Sequence, residues 1–136
     1  MAKRRKRGSD PGEIHEQQRF EREARTGKIA ERFPGVKRIL IRLRFEDIDR
    51  HCNPEPRELE FDPTSTAFFE LKCPLYQCVK GGFNFSAPVA EMNRTRQLRS
   101  KGHSVCQGWQ DRERINKHRC LLTAHYEIQV GYSSAV

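Results

Sequence analysis

The chain has 136 residues, with 26 Lys and Arg against 18 Asp and Glu, a formal charge of +8, 35% apolar residues and five cysteines. A chain of this size builds one core rather than two. Its apolar runs, such as Ile39 to Ile41 and Leu121 to Leu122, are only a few residues long, too short for a spanning helix or the apolar region of a secretory signal, so a membrane is not an expected partner and the expected compartment is the cytoplasm.

Lys3, Arg4, Arg5, Lys6 and Arg7 supply +5 of the +8. Residues 1–9 hold almost nothing apolar to bury, so ordering them would cost entropy without return, and a disordered basic tail is expected there. Residues 10–35 form a charged helical extension in this reading. Ser9 or Asp10 caps it, Pro11 suits its first turn, Gly27 interrupts it and Pro34-Gly35 stops it.

From Val36 the pattern changes. Ile39, Ile41, Leu43 and Phe45 alternate with Arg38, Leu40, Arg42 and Arg44, the period of a strand with one buried face and one largely basic face. Asp47 to Arg57, with Asn53-Pro54 and Pro56, reads as a loop. Leu59 and Phe61 mark a short strand, and Ala67, Phe69, Leu71 and Cys73 another. Glu46, Asp47, Asp49, Glu55, Glu58, Glu60 and Asp62 make this stretch acidic.

Ser86 and Pro88 announce a helix expected to reach about Lys101, with Gly102 as its terminal glycine. Val105 to Trp109 then reads as a strand and Asp111 to His118 as a charged loop. A long strand from Cys120 to Val130 follows, with Cys120, Leu122, Ala124, Tyr126, Ile128 and Val130 on one face. The expected fold for residues 36–136 is therefore a single zinc-stabilised α+β domain: a small antiparallel β-sheet with one packed helix.

The cysteines point to the metal. Cys73 and Cys78 are separated by four residues and followed by Gly81-Gly82, a turn able to bring two thiolates to one ion. If the last two strands pair as a hairpin centred near Glu113, Cys106 falls opposite Cys120 and supplies the second ligand pair. The arrangement resembles the zinc-ribbon class over roughly Cys73 to Cys120, with a longer first spacing and a second pair drawn from two strands. The resemblance implies a zinc ion held by Cys73, Cys78, Cys106 and Cys120. His103 or His118 can stand in for a cysteine. Inert buried thiols, a Cys106–Cys120 disulfide and a reactive thiol are the competing readings. Cys52, beside His51, is left free.

Four thiolates close the coordination shell and leave no place for water, so a non-catalytic role is expected. A catalytic version needs three ligands with a base such as Glu91, and no His-Glu-x-x-His or deaminase-type His-x-Glu motif is present. No small-molecule substrate is expected either. Arg94, Arg96, Arg99, Lys101, Arg112, Arg114, Lys117 and Arg119, with the tail, form a candidate phosphate-binding surface. Trp109, Phe83 and Phe85 could stack on unpaired bases, which favours RNA, or could pack the core. The other function class is a protein-interaction adaptor that presents the charged helix and acidic loop to a partner, with an acidic protein surface as a second possible counterpart of the cations.

Overall fold

Alternation of apolar and charged residues makes Val36–Glu46 the longest strand, β1, and its inward residues Ile39, Ile41, Leu43 and Phe45 are all buried. The computed structural model describes residues 11–47, 54–75, 78–109 and 119–133. The basic tail, Cys52, and the calls on Arg112, Arg114, Lys117 and His118 lie outside these residues.

Two helices precede β1: α1 (Pro11–Arg25) and the single turn α2 (Ile29–Arg32). After β1 come β2 (Arg57–Phe61), β3 (Glu70–Lys72), β4 (Gly82–Asn84), α3 (Ser86–Thr95), β5 (Arg99–Val105) and β6 (Thr123–Tyr132). The fold is α+β. An antiparallel sheet runs in the order β2-β1-β6-β5, and β3 and β4 form a separate two-stranded sheet.

The core lies on one face of the larger sheet. Ile39, Ile41 and Phe45 of β1 meet Ala124, Ile128 and Val130 of β6, and α3 adds Val89 and Met92, one turn apart. Phe83 in β4 and Phe85 just after it are buried in this layer: Phe83 packs on Phe45 at 5.9 Å and Phe85 meets Tyr126 edge-on at 5.5 Å. Neither ring is available for base stacking. Ile29 also belongs to the core, because the backbone of residues 27–30 is tied to residues 63–67 by bonds such as Ile29 N–H to the Ser65 carbonyl at 2.8 Å. The helix α1 is joined to β3 by a two-pronged Arg22–Glu70 pair, Nη2 to Oε1 at 2.6 Å and Nε to Oε2 at 3.2 Å.

The helix expected from Ser86 to Lys101 stops at Thr95. Arg96 takes the left-handed conformation at φ 60°, and Gln97 N–H returns to the Met92 carbonyl. The Tyr132 hydroxyl is shared between the carbonyls of Met92 (3.0 Å) and Gln97 (2.8 Å), tying the last strand to the end of the helix. Gly102 is no helix cap. It pairs with Tyr126 in the β5–β6 ladder, and a Cβ there would lie 2.5 Å from Tyr126 Oη, so the glycine makes room for the tyrosine ring.

Candidate metal centre

The two stems of the centre are built differently. Between β3 and β4 the chain leaves Lys72, passes Cys73 and Cys78, and returns through Lys80, Gly81 and Gly82. Lys80 is left-handed at φ 61° and Gly82 lies at φ 149°, so the return is a tight reversal that turns both sulfurs inward. The second stem continues the β5–β6 ladder. Trp109 bridges both Arg119 on its own hairpin and Val79 on the first stem, with Val79 N–H to Trp109 O at 2.7 Å and Trp109 N–H to Val79 O at 2.9 Å. Those bonds fasten the two stems together.

The hairpin register differs by two residues from the one expected. Cys106 N–H bonds to the Leu122 carbonyl and Cys120 N–H to the Gly108 carbonyl, which places Cys106 and Cys120 on a diagonal rather than opposite each other. Leu121 N–H also reaches the Cys106 carbonyl, so two residues face one, and Leu121 takes φ 56° to allow it. The diagonal keeps both cysteines on one face, and the expected convergence is reached by a different register.

All four sulfurs lie within 4.8 Å of one another and all four cysteines are buried. Cys73 Sγ is 3.8 Å from Cys120 Sγ, and Cys78 Sγ is 3.6 Å from Cys106 Sγ. A tetrahedron with metal–thiolate bonds of ~2.3 Å has sulfur–sulfur edges of about 3.8 Å. A disulfide needs ~2.05 Å, so none of these four cysteines is bridged. The cluster can therefore hold one metal ion and is compatible with a zinc-ribbon-like site. His103 is not one of the converging groups; its ring lies 6.2 Å from that of His125 on the exposed face of the sheet.

At this spacing the four thiols compete for charge. Bonds from the Cys120, Cys73 and Cys78 thiols, and after them the Gly108 amide, hold the Cys106 thiol far below its ordinary range. Cys78 is pushed far up, chiefly by Cys106 and then by Cys120, Cys73 and burial. Cys106 and Cys120 carry charge at the expense of Cys73 and Cys78, whereas a divalent ion would stabilise all four thiolates together. The amides of Gly82 (3.3 Å) and Gly108 (3.4 Å) donate to Cys106 Sγ. Such orienting donors around the ligands carry no signal in the sequence beyond the glycines themselves.

Glu91, the residue a catalytic site would have used, is exposed on α3 and engaged by Arg94 at 3.1 and 2.5 Å. The remaining candidate cations fall in three places. Arg96 lies 4.1 Å over the ring of Tyr132. Arg99 and Lys101 stand on β5, the edge strand of the sheet, instead of on a helix. Arg119 lies 4.2 Å over the half-buried ring of Trp109 and donates to the Gln107 carbonyl at 2.6 Å, at the root of the segment 110–118. The acidic stretch is spent elsewhere: Glu60 pairs with Arg38 at 2.8 Å and Glu58 with Arg42 at 3.0 Å. Cross-strand pairing from β2 to β1 thus leaves Arg99 without an acid partner among the described residues, while Lys101 faces Glu127 across the β5–β6 ladder.

Among the described residues, no helix is long and apolar enough to cross a membrane. No protein-family model, curated protein or solved structure matches this chain.

Proposed function

We propose that this chain is a zinc-stabilised module that binds nucleic acid, with RNA favoured, and that it performs no catalysis. Four thiolates at tetrahedral spacing suit zinc as a structural ion and leave no open position for a reacting water. Reduced, closely spaced cysteines accord with a cytoplasmic protein. The ion's role is to fasten the two stems together.

The observation that carries the reading is the separation of charge across the outer face of the sheet. Arginines 38 and 42 are neutralised by β2 glutamates, whereas on the free edge strand Arg99 is exposed and unpaired by acids among the described residues, and exposed Lys101 has only Glu127 across the ladder. Cations placed this way neutralise phosphates and release counterions. Lys3 to Arg7 and Arg112, Arg114 and Lys117 are further cations that this reading assigns to the nucleic acid. Titrating the purified protein with labelled single-stranded RNA at several salt concentrations tests it. Affinity should fall steeply with salt and Arg99→Ala with Lys101→Ala should flatten the slope; absent or salt-insensitive binding would refute the reading.

A second reading rests on α1. Phe20 is 66% exposed and lines, with Glu13, Glu16 and Gln17, a cleft of about 240 Å³ against Lys72, Cys73, Cys78 and Lys80. An exposed aromatic on a charged helix suits a protein-interaction adaptor. Under that reading one protein co-purifies after nuclease treatment and is lost with Phe20→Ala.

A further inference from the structure

We propose that the outer face of the four-stranded sheet carries a cleft for one unpaired nucleotide of a single-stranded RNA, where the start of β1, the end of β6 and the start of β5 lie side by side. The inference rests on the nucleic-acid reading above and names where and how a base is held.

Three features make the cleft. The outward positions of β6 read Thr123, His125, Glu127, Gln129 and Gly131 in the alternation set by buried Ala124, Ile128 and Val130. The last of them has no side chain, and it pairs with Arg38. Its neighbour Gln129 pairs with Leu40 on β1 and with Arg99 on β5. The result is a cavity of about 260 Å³ with Leu40, Gln129 and Gly131 beneath it and Arg38, Leu98 and Arg99 around it.

The register of β1 shifts between Val36 and Arg38, so that Lys37 and Arg38 are both exposed between the inward residues Val36 and Ile39. A bulge of this kind re-aims side chains, and here it leaves Arg38 lining the cleft opposite Gly131. Leu40 is the one apolar residue on a face otherwise occupied by Arg38, Arg42 and Arg44, while Leu98 at the rim is 63% exposed.

The chemistry selects the occupant. An apolar floor beside the Arg99 guanidinium, with Arg38 held by Glu60 on the other side, suits a flat, uncharged ring bearing one anionic substituent. The Gln129 amide offers both a donor and an acceptor to the edge of such a ring. Arg99 has no acid partner among the described residues, and the acid facing Arg38 is Glu60, already held by it. A base with its 5′ or 3′ phosphate meets all these requirements. A paired base does not, because its edge and faces are taken up within the helix.

Gly131 gives the direct test. A Cβ there would meet Arg38 Cβ at 4.0 Å, an ordinary contact, so Gly131→Val fills the cleft without strain and without altering charge. Leu98→Ser removes the apolar rim and serves as the independent variant if Gly131→Val melts early. The probe is a short fluorescent single-stranded RNA of mixed adenosine and uridine, titrated against parent and variants, with duplex RNA and free nucleoside monophosphate as further arms. Gly131→Val and Leu98→Ser are expected to weaken single-strand binding about tenfold at an unchanged salt slope. Arg99→Ala should lower both affinity and slope, by about one counterion. Parent-like binding by folded Gly131→Val and Leu98→Ser, or duplex binding as tight as single-strand binding, overturns the cleft and leaves the broader reading intact. A parent protein that binds no RNA overturns both.

Discussion

Gly108 and Gly81 meet backbone to backbone at the metal centre: a Cβ on Gly108 would lie 2.6 Å from Gly81 Cα and 2.6 Å from Cys78 Sγ. A Cβ on Gly81 would overlap the sulfurs of both Cys78 and Cys106. The two stems approach as closely as they do because neither residue has a side chain. Gly108→Ala should therefore push the stems apart, weaken metal retention and lower stability by several kcal/mol, since structural zinc contributes on the order of 10 kcal/mol to small sites. Competition with a chromophoric chelator measures it. Retention equal to that of the parent would show that the close approach is not needed.

Tyr132 ties the last strand to the end of α3 through the Met92 and Gln97 carbonyls. Tyr132→Phe leaves those acceptors without this donor and should cost about 1 kcal/mol. Burial raises the hydroxyl above its ordinary value of 10.0, against a smaller lowering effect of the Arg96 charge. A raised acid stabilises the fold while protonated, so this contribution is complete below pH 10 and is lost as the pH climbs through the raised value. Urea titrations from neutral to strongly alkaline pH should show that loss in the parent and less of it in Tyr132→Phe. Identical alkaline profiles would remove the linkage.

Lys80 adopts φ 61°, a conformation that costs a residue with a Cβ about 1 kcal/mol, while its side chain is exposed. Lys80→Gly relieves that cost and should raise stability by up to about 1 kcal/mol after the greater freedom of glycine in the unfolded chain is counted. Thermal melting with metal bound is the check, and a clear loss of stability would mean that the lysine makes a contribution other than its backbone geometry.

Much of the architecture was legible in local pattern. Alternation around Ile39–Phe45 and Leu122–Val130 marked the two central strands, because a half-buried strand must repeat every two residues. The cysteine cluster was legible in residue type, since cysteines beside a Gly-Gly turn and on two neighbouring strands are candidates for ligands of one ion. The hairpin register was not. A centre at Glu113 looks as good in the sequence as the actual pairing of Cys106 with Leu122, and the two-against-one arrangement at Leu121 has no glycine to announce it. The end of α3 was misplaced for a related reason: Arg96, not Gly102, takes the left-handed cap, and Gly102 serves Tyr126 across the strands. The cleft at Gly131 depends on three strands meeting in register and on a bulge at Lys37, relations between distant segments that local pattern does not carry.

The claim on which the account rests is that Cys73, Cys78, Cys106 and Cys120 jointly hold one ion. Metal analysis by mass spectrometry of protein prepared without metal-affinity chromatography addresses it directly, alongside a Cys78→Ser, Cys106→Ser variant. The account expects one zinc per chain, lost in the variant together with the cooperative melting of the parent. A parent that folds and melts unchanged in the presence of a strong chelator, with no stoichiometric metal and four freely titrating thiols, would contradict it.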